Sequence, residues 1–111
     1  MKWLGLAAMC VLAAGCGDNV GDSVGSSGQP AHPGEQTYNR FCLSCHAAGI
    51  AGAPKVGSAE AWAPRVAQGR DVLLQRTIEG IAPGMPARGL CRSCSDEQLA
   101  DAIDYMLSRS Q

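Results

Sequence analysis

The sequence predicts a small all-α domain of about four helices with unusually long loops. Two observations lead there. Apolar residues recur at helical spacing in several segments, and no stretch alternates apolar and polar residues as a strand or repeats another. Between the helical segments lie glycine- and proline-rich stretches longer than a bare helical bundle needs. The chain has 111 residues, one Phe and 5% aromatics, so its own side chains build only a small core. A domain this small needs a staple: a disulfide, a metal or a cofactor.

Residues 1–15 read as an export signal. Lys2 gives the positive end, and Trp3 to Ala14 is an apolar run too short for the ~20 residues of a membrane span. Small residues at Ala13 and Gly15 suit an ordinary signal peptidase. Leu12-Ala13-Ala14-Gly15-Cys16 also resembles a lipoprotein signal, although the Leu stands one place further back than usual. Cysteine arithmetic favours the lipid. Cys10 leaves with the signal, Cys42/Cys45 and Cys91/Cys94 form close pairs, and Cys16 is left over as an exposed thiol in an oxidising compartment. Cys16 is therefore expected to carry a membrane anchor on the periplasmic side of a bacterial cell membrane.

Residues 16–33 are rich in Gly, Ser, Asp, Asn and Pro and read as a flexible tether, with His32 a solvated member of it. The folded domain is expected over 34–111. Its first helix runs from Glu35 to about His46, with Tyr38, Phe41, Cys42 and Cys45 on one face. Ala47 to Gly57 is a loop. Ser58 caps a short helix to Trp62, and Pro64 starts a second short piece ending at Gly69. Asp71 to Glu79 is a helix stopped by Gly80, and Ile81 to Leu90 is again a loop. In the last helix Ser95 and Gln98 form a capping-box pattern. Leu99, Ala102, Ile103 and Met106 make its apolar stripe, while Asp101 and Asp104 face water.

Cys42-Leu43-Ser44-Cys45-His46 is the C-x-x-C-H haem-attachment motif. Two thiols at i and i+3 share one helical turn, so each can form a thioether to a haem vinyl group. His46, one residue on, can aim an imidazole nitrogen at the iron. A thioredoxin-like site would need a βαβ pattern, which is absent. A zinc site would need a far shorter gap than that between Cys45 and Cys91. After cleavage, the candidates for the second axial ligand are Met85, Met106 and His32. Met85 lies in Pro83-Gly84-Met85-Pro86, where Pro86 stiffens the loop, while Met106 sits on the apolar stripe as core. Met85 is the choice, and His/Met ligation raises the potential. Cys91 and Cys94 are expected to form a structural disulfide leading into the last helix.

From Gly34 onward the chain resembles a class I c-type cytochrome of the cytochrome c5 family. The resemblance rests on Cys42-Leu-Ser-Cys-His46, Gly52-Ala-Pro-Lys-Val-Gly57, Trp62-Ala-Pro-Arg65, Gly84-Met-Pro86 and the pair Cys91-Arg-Ser-Cys94. It implies a fold wrapped around one covalently bound haem c, and Pro54 as the carbonyl that accepts the ligand histidine's proton. It places Gly34 and Tyr38 where the first helix crosses the last, opposite Tyr105, and sets Trp62 and Arg65 near a haem propionate.

The function expected is one-electron transport, without catalysis, between redox proteins of the periplasm or its membrane. The alternatives are a fixed haem subunit of a larger oxidoreductase complex and a haem enzyme or sensor with an exchangeable sixth ligand. The formal charge of -1 excludes a basic nucleic-acid binder, and a monomer or weak dimer is expected. Arg88 and Arg92 are read either as steering an acidic partner to the haem edge or as part of an ordinary solvated surface. Mass spectrometry of the mature N-terminal peptide is expected to show Cys16 first and lipidated; an unmodified Cys16 contradicts the anchor.

Overall fold

The computed structural model describes residues 31–111. The expected signal (residues 1–15), the anchor Cys16 and the tether as far as residue 30 lie outside them. Five α-helices follow one another: α1 (Glu35–Phe41), α2 (Leu43–His46), α3 (Ala59–Val66), α4 (Arg70–Glu79) and α5 (Asp96–Ser108), with a 3-10 turn at Ile50–Gly52. Among the described residues the only strand-like pairing is an isolated antiparallel bridge between Ile81 and Met85. The fold is all-α.

Helix α5 is the centre. Its start is locked by the capping box: Gln98 N–H donates to Ser95 Oγ (3.1 Å) and Ser95 N–H to Gln98 Oε1 (2.9 Å). Leu99, Ala102, Ile103 and Met106 are all buried, as their spacing requires. Ile103 and Met106 join Tyr38, Trp62, Leu73 and Tyr105 in one apolar cluster. Leu99 joins the Cys91 and Cys94 side chains in another, against Phe41, Leu74 and Ile78. Asp101 and Asp104 do not simply face water, because both are half-buried. Arg70 of α4 grips Asp104 with two nitrogens, at 2.8 and 2.6 Å.

Helix α1 meets α5 at Gly34. A Cβ on Gly34 would overlap the Asp101 carbonyl, so the two backbones touch there. One turn on, the Tyr38 and Tyr105 rings pack at 5.1 Å between centroids. At the chain end the buried Ser110 hydroxyl donates to Met106 O (2.7 Å) and accepts from Gly57 N–H (3.0 Å), tying the 47–57 loop to α5.

Three boundaries differ from expectation. The first helix is not continuous to His46: Cys42, at φ -117°, ends α1 and begins α2. The N–H groups of Cys45 and His46 both point at Cys42 O (3.3 and 3.0 Å), turning the chain tightly on itself. The expected break at Pro64 does not occur, and α3 runs through it. Pro64 is exposed, so water can take the Glu60 carbonyl that a Pro64 N–H would have bonded. Helix α4 starts one residue early, at Arg70.

His32 is also not a solvated tether residue. Its Nδ1 accepts from Gly34 N–H (3.1 Å), its carbonyl accepts from Glu35 N–H (2.9 Å), and its ring meets Tyr105 edge-on at 5.5 Å. It closes the start of α1 against α5.

Gly34→Ala tests the crossing. Gly34 has an ordinary right-handed backbone (φ -82°), so alanine adds no backbone strain there. The methyl group must push α1 off α5, at a cost of about 2 kcal/mol or more. The expected result is a Tm about 8 °C or more lower.

Candidate functional site

Helices α1, α2 and α5 and the two long loops enclose a cleft of about 880 Å³, part of it open to solvent. Its wall holds Cys42, Cys45 and His46 from the first turn, Pro54 from one loop, Met85 from the other, and Leu99, Ile103 and Met106 from α5.

His46 is buried, and its Nδ1 lies 3.0 Å from Pro54 O. A proline carbonyl can only accept, so Nδ1 carries the proton and the Nε2 lone pair is left for a metal. Burial, chiefly, pushes the His46 pKa below the ordinary histidine value. The Arg65 charge adds to this, and the Pro54 bond works against it. The ring is therefore neutral, the form that ligates.

Three consecutive loop residues hold this histidine. Pro54 O takes the ring proton. Lys55 O accepts from Trp62 Nε1 (3.1 Å), which sets the buried indole stacked on the imidazole, 5.9 Å between centroids and 24° between planes. Val56 N–H donates to His46 O (2.8 Å). The Trp62 role was not read from the sequence. Its one N–H is spent on Lys55 O, and its ring lines a space next to the cleft together with Arg65. Arg65 does line the cleft, with Nη1 on Ala61 O (2.6 Å) and Nη2 on Gly52 O (3.5 Å).

Cys42 and Cys45 are free thiols, half-buried on the cleft wall. Burial, then the neighbouring Cys45, pushes the Cys42 thiol up to about 11, so it stays neutral. Cys91 and Cys94 are joined in a disulfide, with Cα atoms 5.5 Å apart. The two C-x-x-C pairs therefore do not share one metal.

Met85 is positioned from three sides. Ile81 and Met85 exchange backbone hydrogen bonds (2.8 and 2.9 Å), closing the loop on itself. Gly84 lies against the Ala51 carbonyl, where a Cβ would overlap it, so the two long loops meet edge to edge. Gly80, at φ +82°, sits under the same loop: a Cβ there would come within 2.7 Å of Ala87 N and 2.9 Å of Met85 O. Met85 is half-buried, whereas Met106 is buried in the core cluster, although both reach the cleft wall.

Arg88 is not a free steering charge. Its Nη2 donates to Cys94 O (2.7 Å) and Asp96 Oδ1 (2.8 Å), tying the 81–90 loop to the start of α5. Arg92 is exposed.

Two thiols, a neutral imidazole and a thioether around one apolar cleft suit a flat apolar macrocycle that the thiols can bond and a central transition metal that the imidazole and thioether can ligate. The donor set fits the haem that the C-x-x-C-H motif implies.

Residues 29–106 match the family model described as "Cytochrome C oxidase, cbb3-type, subunit III". The chain is 42% identical over 84 residues to cytochrome c-555 of Chlorobaculum tepidum, covering 73% of this chain and 78% of that protein. It is 40% identical over 83 residues to cytochrome c5 of Ectopseudomonas mendocina, covering 73% and 94%. Among solved structures it is similar to a chain of an electron transfer complex of nitrite reductase with cytochrome c. That match has a TM-score of 0.67 and 40% identity, covering 75% of this chain and 98% of that one.

The Met85 cradle has an internal control. Gly57 and Gly69 share the left-handed φ of Gly80 (+92° and +96°), but a Cβ on either meets nothing. Gly80→Ala is expected to cost about 1–3 kcal/mol more than Gly57→Ala or Gly69→Ala in denaturant titration.

Proposed function

This chain belongs to the class I c-type cytochromes, in the cytochrome c5 family, and we propose that it is an exported, lipid-anchored shuttle whose haem is held by Cys42, Cys45, His46 and Met85. It carries one covalently bound haem c and acts as a one-electron carrier, not an enzyme. When bound, the haem supplies an iron that takes up and releases a single electron. The rest is the work of this chain's own residues.

Cys42 and Cys45 hold the macrocycle by thioethers. His46 Nε2 and Met85 Sδ would be the protein groups that hold its iron. Pro54 keeps the Nδ1 proton in place, so the imidazole can neither rotate nor change tautomer. Leu99, Ile103 and Met106 line the cleft with apolar surface that excludes water. His46 and Met85, both on braced backbone, would together leave the iron no place for an exogenous ligand, which favours the carrier over a haem enzyme or sensor. The observation that carries this reading is the His46–Pro54 bond at 3.0 Å, with both free thiols on the same cleft wall.

The partners are other redox proteins, approaching where the cleft opens beside the exposed side chains of Ile50, Ile81 and Leu90. The similar chain in complex with nitrite reductase supports this class of partner. The apolar run from Trp3, the small residues before Cys16 and the unpaired Cys16 support export to the periplasm and a lipid anchor. A second reading, a fixed subunit of a larger oxidoreductase, draws on the description of the matching family model.

Two variants test the ligand choice. Met85→Ala should abolish the weak sulfur-to-iron band of the oxidised protein and lower its potential. Met106→Ala should keep the band while costing about 2–5 kcal/mol of stability. The reverse pattern would make Met106 the ligand.

A further inference from the structure

Among the described residues, two that are not glycine hold a left-handed backbone: Ala51 at φ +54° and Arg88 at φ +59°. That conformation is strained for a residue with a side chain, and it persists only where the surroundings enforce it. Both residues brace the loop that carries Met85. The Ala51 carbonyl is the one Gly84 lies against. Arg88, three residues after Met85, is held on three sides. Its N–H donates to Thr77 O of α4 (2.7 Å), and its carbonyl accepts from Cys91 N–H (3.2 Å). Its Nη2 donates to Cys94 O (2.7 Å) and to Asp96 Oδ1 (2.8 Å). One residue thus joins the loop to α4, to the disulfide turn and to the start of α5. Glycine would take this backbone without strain, but it has no guanidinium to reach Cys94 and Asp96.

We propose that Arg88 is the positioning residue for Met85: its tie to Cys94 and Asp96 sets how rarely the thioether leaves the iron, and so keeps the sixth position closed to small ligands. The proposal rests on the haem reading given above and names the side chain that enforces it. Met85 is unbranched and flexible, so how long its sulfur stays in place depends on the backbone beneath it. The exchanged bonds between Ile81 and Met85 fix the shape of that backbone. They do not fix its place over the cleft, because both partners belong to the loop. Place is set by contacts outside the loop, with Gly84 against Ala51 on one side and Arg88 on the other. The Arg88 side chain is 27% exposed and forms part of the cleft wall, so its bonds are shielded from water more than those of an open surface pair. Asp96 is 64% exposed, so the Cys94 carbonyl carries the larger share of the tie.

The test is stopped-flow mixing of the ferric, haem-loaded protein with excess imidazole. At saturating imidazole the rate is limited by the departure of Met85. Arg88→Gln is expected to raise this limiting rate about tenfold, as the loss of one charged hydrogen bond allows. It should also lose the weak sulfur-to-iron band on heating well before the helices melt. Arg88→Lys keeps the charge without the fork and should recover part of the difference. Asp96→Asn leaves the Cys94 bond and should raise the rate about threefold. Arg70→Gln is the control. It breaks the other ion pair among the described residues, Arg70–Asp104, which joins α4 to α5 away from the loop. Its rate should stay within about twofold of the wild type.

A wild-type rate in Arg88→Gln, with the visible spectrum intact, overturns the proposal, and so does an equal rise in Arg70→Gln. If Arg88→Gln does not fold, Asp96→Asn decides, and a wild-type rate there overturns it. The ligand reading has its own check, because Met85→Ala should bind imidazole with no slow step. A Met85→Ala protein as slow as the wild type, or a colourless wild type, overturns that reading and the proposal together.

Discussion

Helix α1 crosses α5 where Gly34 meets the Asp101 carbonyl with no side chain between the two backbones, and the position of everything at the site follows from that contact. Gly34 gives the crossing its closeness, and the Tyr38–Tyr105 pair extends it along the helices. His32 adds a third ring at the same junction. Because Cys42 follows α1 directly, the crossing decides where the two thiols and His46 stand relative to the apolar stripe of α5. A displaced α1 would carry the attachment turn away from Leu99, Ile103 and Met106, and the cleft would lose its floor. The fold thus uses an invariant of geometry, two backbones in van der Waals contact, to place chemistry that tolerates little error.

Around that crossing a small number of polar bonds does most of the positioning. The 54–56 segment fixes the histidine ring, its backbone and the indole stacked against it through three hydrogen bonds. Loop 81–85 closes on itself and leans on Ala51, so the methionine is held by backbone rather than by packing of its flexible side chain. Arg88 ties the far end of that loop to the cap of α5. These bonds lie at the ends of the long loops, where a chain with so few large apolar residues has least packing to spend. A covalently bound haem c seated in that apolar cleft would serve as the missing part of the core.

What could be read from the sequence was local. That Cys42, Cys45 and His46 share one cleft wall is legible because the three fall within one turn of chain. The Ser95–Gln98 box and the Gly80 stop are legible for the same reason, since their partners lie three or four residues away. Pro54 came through resemblance rather than spacing. The break at Cys42 was invisible, because a single backbone angle leaves no mark on an apolar pattern. Helix α3 passes through Pro64 because solvent covers the lost bond, which a propensity argument does not weigh. The Trp62–Lys55 bond, the pairing of Arg88 with Asp96 and the His32–Tyr105 contact all join residues that only the folded chain brings together. Charge counted along the sequence left Arg88 a steering group or a solvated one; its geometry makes it a tie.

The proposed function stands on a haem held by two sulfurs and ligated by one nitrogen and one thioether. Visible absorption of the purified wild-type protein, recorded in the reduced and oxidised states after expression where haem is attached during export, tests all of these together. The expected spectrum has the sharp reduced bands of a low-spin c-type haem that survive denaturation and acid–acetone extraction, with the weak sulfur-to-iron band present only when oxidised. A colourless protein, a haem removed by extraction, or a spectrum of an open sixth position would contradict it.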